Sequence, residues 1–412
     1  MNVALFLADR MRRQKQYKSS VSSRIIKIAT ASIVVGMTTI LIAVTVTKGL
    51  QKTIRNQAVA FNGHISISFF ENNESKVSTL PMVDSKDTRV LMESHPKVLH
   101  VHGVALKEGI FKTPSNFEGF LFKGVENNFE WKLLELFLIE GKFPSFQNDS
   151  LSSDILISSV HASRLGLTLG DSVNAFFQSQ KENAAPNRRK FTIVGIYFSG
   201  FPEIDENLVY GDLKQIQRLQ RWERNQIGNY EIFVEDMEHV NAVGTYLNRG
   251  MTPDKNVVLI TEQYADIFQW ISLFDFNTIV IIAMMVLVGV INMATALLAL
   301  ILERARMIGL LKTLGAQNIL IQRIFLYNGL VIMVKGLFWG NVLGALFYFS
   351  QKYWGWVTLD PSTYFVKTVP VSITLWELFV LNSFVLFVTT FLLWFPSKII
   401  MKMNPSKVFR LR

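Results

Sequence analysis

Two histidines alternate in the stretch VLHVHG, so a β-strand there presents His100 and His102 on one face, a spacing a metal ion could use. The chain has no cysteine, and two exposed strand histidines are the plainer reading of the pair. Three other catalytic patterns are absent: the phosphate loop G-x-x-x-x-G-K-S/T, the zinc-protease H-E-x-x-H and the nucleophile elbow G-x-S-x-G. Neither a nucleotide site nor a hydrolase site is signalled, and the chain reads as non-catalytic. The carboxylates are unevenly placed: none occurs in 25–70, 276–302, 304–359 or 378–412. Ion-coupled and proton-coupled carriers need ionisable groups at membrane depth, most often carboxylates, so any transport work here draws its energy from elsewhere.

Those acid-free stretches coincide with the apolar ones. Of 412 residues, 50% are hydrophobic, with 32 Phe and 8 Trp, a composition that points to a membrane protein. Uncharged runs at 28–46, 276–302 and 378–395 each approach or exceed the roughly 18 residues a bilayer core requires. A fourth run, 324–349, contains Lys335, which either snorkels, meets a partner subunit or contacts a cargo headgroup. Lys and Arg crowd the flanks: six in 1–24, four in 303–323 and five after Phe395. The positive-inside rule then predicts both termini and the 303–318 segment in the cytoplasm. The first run reads as a retained anchor, because no small-residue cleavage site follows it. The formal charge of +10 belongs to these flanks, since residues 48–275 hold 23 basic and 28 acidic side chains, and nucleic-acid binding is excluded.

The fold class expected is an α-helical membrane protein with four transmembrane helices and a large mixed α/β periplasmic domain between helices 1 and 2. Its segments are a basic N-terminus (1–24), helix 1 (25–47), the α/β domain with helical stalks (48–274), helix 2 (275–302), a short cytoplasmic helix (303–318), helix 3 (319–349), a periplasmic loop (350–377), helix 4 (378–396) and a cytoplasmic tail (397–412). Leu50, Ile54, Ala58 and Phe61 recur at helical spacing up to the stop Asn62-Gly63, which predicts a stalk continuing helix 1. TEQYADIFQWISLFDF runs into helix 2 without Pro or Gly, which predicts a second continuous stalk. Strands are expected in HISISF, VLHVHGV, GFLFKGV, KFTIVGIYF, YEIFVE and NVVLI, and helices in SSVHASRLGL, DLKQIQRLQRW and DMEHVNAVGTYLN.

Between helices 2 and 3 lies ERARMIGLLKTLGA. On a helical wheel Met307, Leu310, Leu311 and Leu314 share one face, and Arg306, Gly309, Lys312 and Thr313 the other, before Gly315 stops the helix. By composition alone it is an interfacial helix resting on lipid. The segment Glu303, Arg304, Arg306, Ile308, Gly309, Leu311, Lys312, Leu314, Gly315, Ala316 also resembles the cytoplasmic segment of the FtsX-like permeases of the MacB superfamily of ABC transporters; Met307 stands where that family usually has an acid. The stretch 22–67, KFTIVGIYFSGFPEIDENLVYGDL and NPSKVFR resemble the lipoprotein-releasing (LolC/LolE) permeases.

The resemblance implies a permease subunit of an inner-membrane complex that extracts lipoproteins and passes them to a periplasmic carrier. Another MacB-superfamily permease, acting in efflux or mechanotransmission, is the alternative. The partners implied are a cytoplasmic ATPase dimer, a second permease copy or paralogue, the carrier, the lipoprotein cargo and membrane lipids. No cofactor is expected in this chain, ATP and Mg sitting on the ATPase. Glu303, Arg304, Arg306, Gly309, Lys312, Thr313 and Gly315 become a coupling helix. Met37, Ile40, Leu41 and Val44 of helix 1 with Phe276, Val280 and Met284 of helix 2 are expected to line the cargo cavity, and Leu50, Ile54 and Phe61 to stiffen the stalk. The loop 178–190, with Pro186, Arg188 and Arg189, is either a carrier contact or a solvated hairpin tip.

Overall fold

The computed structural model describes residues 21–70, 77–147, 150–179 and 185–397. The basic residues before 21, the centre of the 178–190 loop and the tail after 397 lie outside the described residues. In chain order the elements are α1 (Val21–Asn62), β1 (Ile65–Phe69), β2 (Met82–Val83), α2 (Lys86–Glu93), β3 (Val98–Lys112), β4 (Phe117–Val125), β5 (Leu138–Gly141), β6 (Asp154–Ser158), α3 (Ser159–Leu165), β7 (Ser172–Phe177), β8 (Asn187–Tyr197), α4 (Pro202–Asp205), β9 (Leu208–Asp212) and α5 (Leu213–Gln220). There follow β10 (Gln226–Ile227), β11 (Asn229–Val234), α6 (Val240–Gly250), β12 (Lys255–Leu259), α7 (Ile260–Gln263), α8 (Ala265–Glu303), α9 (Ala305–Thr313), α10 (Asn318–Trp354), α11 (Pro361–Tyr364) and α12 (Leu375–Ser397). The chain divides into a helical unit (1–52, 270–358 and 368–412) and an α/β unit (53–269 and 359–367).

Among the described residues, four helices are long and apolar enough to cross a membrane: α1, α8, α10 and α12. Helix α1 meets α10 by complementarity of size. Gly336, Gly340 and Gly344 recur every fourth residue and line one face of α10. A Cβ on any of them would collide with Ile33, Met37 and Leu41 respectively, which recur at the same interval on α1. Small residues at such an interface bring helix backbones close enough for van der Waals packing, the main attraction available between apolar helices in lipid. Polar side chains in the unit find neutral partners. Thr47 bonds Thr278 at 2.7 Å, Asn292 donates to Ser32 at 2.5 Å, and Asn341 and Asn382 exchange amide hydrogen bonds of 2.6 and 3.0 Å.

In the α/β unit, strand pairing runs around a ring: β3 pairs β4, β4 pairs β9, β9 pairs β6, β6 pairs β8, β8 pairs β7, and β7 returns to the far end of β3. The pairs β4/β9 and β6/β8 are parallel and the other four antiparallel. Phe rings fill the ring of strands: Phe111 stacks on Phe120 at 3.8 Å, and Phe122 on Phe191 at 5.3 Å, amid Ile155, Ile193 and Val209. Beyond β3 the sheet extends through β11 and β1 to β12, with α6 packed on this lobe by Val243 and Leu247.

The first stalk is helical through to Asn62, closed by Gly63 at φ +73° with its N–H on the Val59 carbonyl, the left-handed stop that favours glycine. The second corrects the expectation of one continuous helix. Tyr264 leaves the helical region (φ −119°, ψ 44°), separating α7 from α8, and its hydroxyl is tethered to Asn62 Oδ1 at 3.1 Å.

Candidate functional site

Helix α9 is nine residues long and follows α8 after the single non-helical residue Arg304. Its inward arc is Met307, Ile308 and Leu311, packed with Leu297, Leu300, Ile301, Ile321, Ile324 and Phe325 of α8 and α10. This rotates the helix relative to the wheel reading. Gly309, expected on the contact face, is buried; Lys312 and Arg304 are half-buried; Leu310 and Leu314 face outward, Leu314 being 81% exposed. The outward arc therefore holds Glu303, Arg306, Leu310, Thr313 and Leu314, followed by Gly315 at φ +85°. The wheel grouped Leu310 and Leu314 with Met307 and Leu311 because it counts only apolar residues on the helix itself, whereas the cluster from α8 and α10 covers the arc centred on Ile308. Two exposed leucines beside an arginine form an amphiphilic face suited to a partner's groove.

The other constructed site lies where α1 ends in the α/β unit. Lys123 on β4 is 2% exposed and Glu231 on β11 6%. Lys123 Nζ donates to Glu231 Oε2 and to the Phe61 carbonyl, each at 2.7 Å, with Glu231 Oε1 2.6 Å away, so the ammonium is surrounded by acceptor oxygens. The Phe61 carbonyl belongs to the last turn of α1, where helix carbonyls lack partners and the dipole is negative, so a buried cation is well placed there. Burial pushes the Lys123 ammonium down and the Glu231 carboxyl up, while their mutual attraction opposes both shifts. The Phe61 ring lies among Phe137, Tyr197 and Tyr210 at 5.1 to 6.3 Å. Leu50, Ile54 and Phe61 are all buried.

The residues expected to line a cargo cavity fall into two sets. Met37, Ile40 and Leu41 are buried within the helical unit, Val44 is half-buried, and Phe276, Val280 and Met284 form an exposed stripe on α8. The cavity beside Met37 and Ile40 has a volume of about 20 Å³, room for a water rather than an acyl chain. The α1 residues point inward because the α10 glycines accept them, a signal present in the sequence as G-x-x-x-G-x-x-x-G and overlooked. Lys335 is exposed. Pro186 is exposed, Arg188 grips Asn174 Oδ1 at 3.0 and 3.1 Å, and residues 187–190 already belong to β8.

The histidine pair differs from expectation. His100 is exposed, but His102 is buried against Phe129 and Phe233, and burial lowers its pKa to about 4, so it is neutral at physiological pH. Glu235, Asp236 and His239 bring ligand atoms within 4.8 Å, and Lys97 sits 2.5 Å from Glu235, already supplying a positive charge.

A chain that combines an α/β unit with four apolar helices, and a short amphiphilic helix between the second and third, defines a class. The chain belongs to the FtsX-like permeases with a MacB-like periplasmic core domain: residues 28–249 match the MacB-like periplasmic core domain and 279–405 the FtsX-like permease C-terminal family. Within that class it is similar to the lipoprotein-releasing system transmembrane protein LolC of Xylella fastidiosa, 20% identical over 396 residues that cover 92% of each chain. It is also similar to LolE of Haemophilus influenzae, 23% identical over 363 residues, covering 84% of this chain and 82% of that one. Against the periplasmic region of MacB from Actinobacillus actinomycetemcomitans it is 13% identical with a TM-score of 0.35, over 52% of this chain and 97% of that structure.

Proposed function

We propose that this chain is the permease subunit of an ATP-driven complex in the bacterial inner membrane that extracts lipoproteins and hands them to a periplasmic carrier for outer-membrane sorting. Both termini and α9 face the cytoplasm, and ATP with its Mg is held and hydrolysed by a separate ATPase dimer. A second permease, a copy or a paralogue, completes the complex. The observation that carries this reading is the outward face of α9, where Arg306, Leu310, Thr313 and Leu314 lie exposed between two membrane-length helices. The similarity to LolC and LolE over most of the chain supplies the cargo class.

In this reading α9 docks on the ATPase, and ATP-driven closure pivots the helices that contain residues of both units, α1 and α8. The α/β unit follows because the end of α1 is gripped by Lys123 and its aromatic socket. Acyl chains travel along the exposed Phe276, Val280, Met284 stripe of α8. Aromatic and thioether side chains suit chains of variable shape. The test is the double variant R306E/L310E, two exposed positions whose change leaves the fold intact. In proteoliposomes holding the full complex, lipoprotein release is expected to stop while the permease still inserts. Unchanged release returns α9 to a helix resting on lipid. Complexes that hydrolyse ATP but neither co-purify with lipoprotein nor release it would reassign the cargo to another MacB-superfamily activity.

A further inference from the structure

Residues 359–367 lie in sequence between α10 and α12, yet they pack in the α/β unit. The loop is closed at its neck by a Thr358/Thr368 bridge and by the Leu359 N–H on the Lys367 carbonyl at 3.0 Å. At its tip Phe365 stands at φ +60°, a left-handed conformation uncommon for a bulky residue and held only where surroundings enforce it. Three contacts hold Phe365 there and a fourth holds the loop two residues on. The Phe365 ring stacks on Phe201 with centroids 4.7 Å apart and planes at 19°. Its carbonyl accepts from Gln57 Nε2, on the last turns of α1, at 3.3 Å. The same carbonyl occupies the place a Cβ would take on Gly200, itself at φ +84°. Lys367 Nζ lies 4.4 Å from the Phe198 ring centroid. The receiving loop is rigid: buried Asp205 accepts from the Ser199 and Gly200 N–H groups at 2.8 and 3.0 Å.

We propose that the 359–367 loop is a latch that carries movement of α10 and α12 into the α/β domain, with Phe365 as the positioning residue that engages Phe201, Gly200 and Gln57. The inference rests on the permease reading above and adds to the two stalks a third connection, from the other pair of apolar helices. Strain at a bulky residue is informative because a loop that only joined two helices could place glycine there and relax. A latch instead needs a ring that fits its socket in one orientation.

The test uses the full complex with its ATPase in proteoliposomes. Phe365→Gly keeps the positive φ and the carbonyl but removes the ring; Phe365→Tyr keeps the stack. The chain has no cysteine, so Asn207→Cys, an exposed site just beyond the receiving loop, takes a single environment-sensitive fluorophore. In the otherwise unaltered chain ATP is expected to change its emission. Phe365→Gly is expected to abolish that change and to lower lipoprotein released per ATP hydrolysed by about five-fold or more, with ATP hydrolysis and assembly retained, and Phe365→Tyr to restore both. An ATP-dependent signal as large in Phe365→Gly as in the unaltered chain overturns the latch, whatever the release assay shows. A signal that depends on Phe365 in a complex that releases no lipoprotein leaves the latch standing and overturns the cargo assignment instead.

Discussion

The α/β unit and the helical unit bury polar groups in opposite ways. The α/β unit encloses a full ion pair, Lys123 with Glu231, satisfied by a helix-end carbonyl, with Lys123 Nζ 5.4 Å from the Tyr210 ring centroid. Among its described residues, the helical unit pairs neutral groups where it is buried or half-buried, Thr47 with Thr278, Asn292 with Ser32 and Asn341 with Asn382, and fastens α1 to α10 by glycines. A charged pair demands fixed geometry, because any separation leaves two desolvated charges. Amide and hydroxyl pairs are worth about 0.6 kcal/mol on average between membrane helices and lose little when they shift. The difference assigns stiffness to the domain that receives α1 and adjustability to the helices that the proposed mechanism moves.

The largest effect should come from breaking the charged pair on one side. Lys123→Met strands a buried carboxylate, and unfolding of the full chain in detergent, followed by denaturant titration at neutral pH, should show a loss of about 3–5 kcal/mol. The double variant K123M/E231L should recover most of that loss, since two apolar residues need no partner. A double variant as weak as the single one would mean that the Phe61 carbonyl, not the carboxylate, depends on Lys123.

Next in size is the glycine seam. Gly340→Val drives a branched side chain into Met37 and the Val34 carbonyl, and overpacking of this kind costs about 1–3 kcal/mol. Its unfolding should lose cooperativity in the helical unit while the α/β unit's near-ultraviolet signal stays unchanged. Smaller again, Asn341→Leu removes one half of the reciprocal amide pair and should cost about 1 kcal/mol or less. An effect above that of Gly340→Val would show that the helices are held by hydrogen bonds rather than by close packing.

How far such features can be read ahead of the structure depends on whether they are local. The four apolar helices follow from length and composition, and β1, β4, β11 and β12 follow from alternation or a β-branched run. Strands β6 and β9 escaped notice because nearly every residue in DILIS and LVYGD is buried, so no alternation marks them. Lys123 and Glu231 are 108 residues apart; the hint is a charge within each apolar strand, which does not say that they meet. The facing of α9 depends on Leu297, Ile321 and Phe325 from two other helices, which a wheel drawn from one segment cannot include. The placement of 359–367 had no sequence signal beyond the aromatic pair Tyr364-Phe365.

The smallest effect expected is also the closest control for the comparison. Lys97 and Glu235 form the same kind of ion pair at 2.5 Å, but their side chains are 38% and 50% exposed. The hydrogen bond and attraction from Lys97 hold the Glu235 carboxyl below its ordinary range, and the same contact raises the Lys97 ammonium. A depressed carboxyl stabilises the fold above its unfolded pKa and loses that contribution as pH falls through the folded one; a raised ammonium stabilises below its unfolded pKa and loses its contribution as pH rises through the folded one. The pair should therefore act across the neutral range and fade at both extremes. Water and salt screen it throughout. Glu235→Gln is expected to shift the thermal midpoint so little that only low ionic strength resolves it, against the large loss from Lys123→Met. If Glu235→Gln proved as damaging as Lys123→Met, burial would not be what separates the two pairs, and the stiffness assigned to the Phe61 socket would need another source.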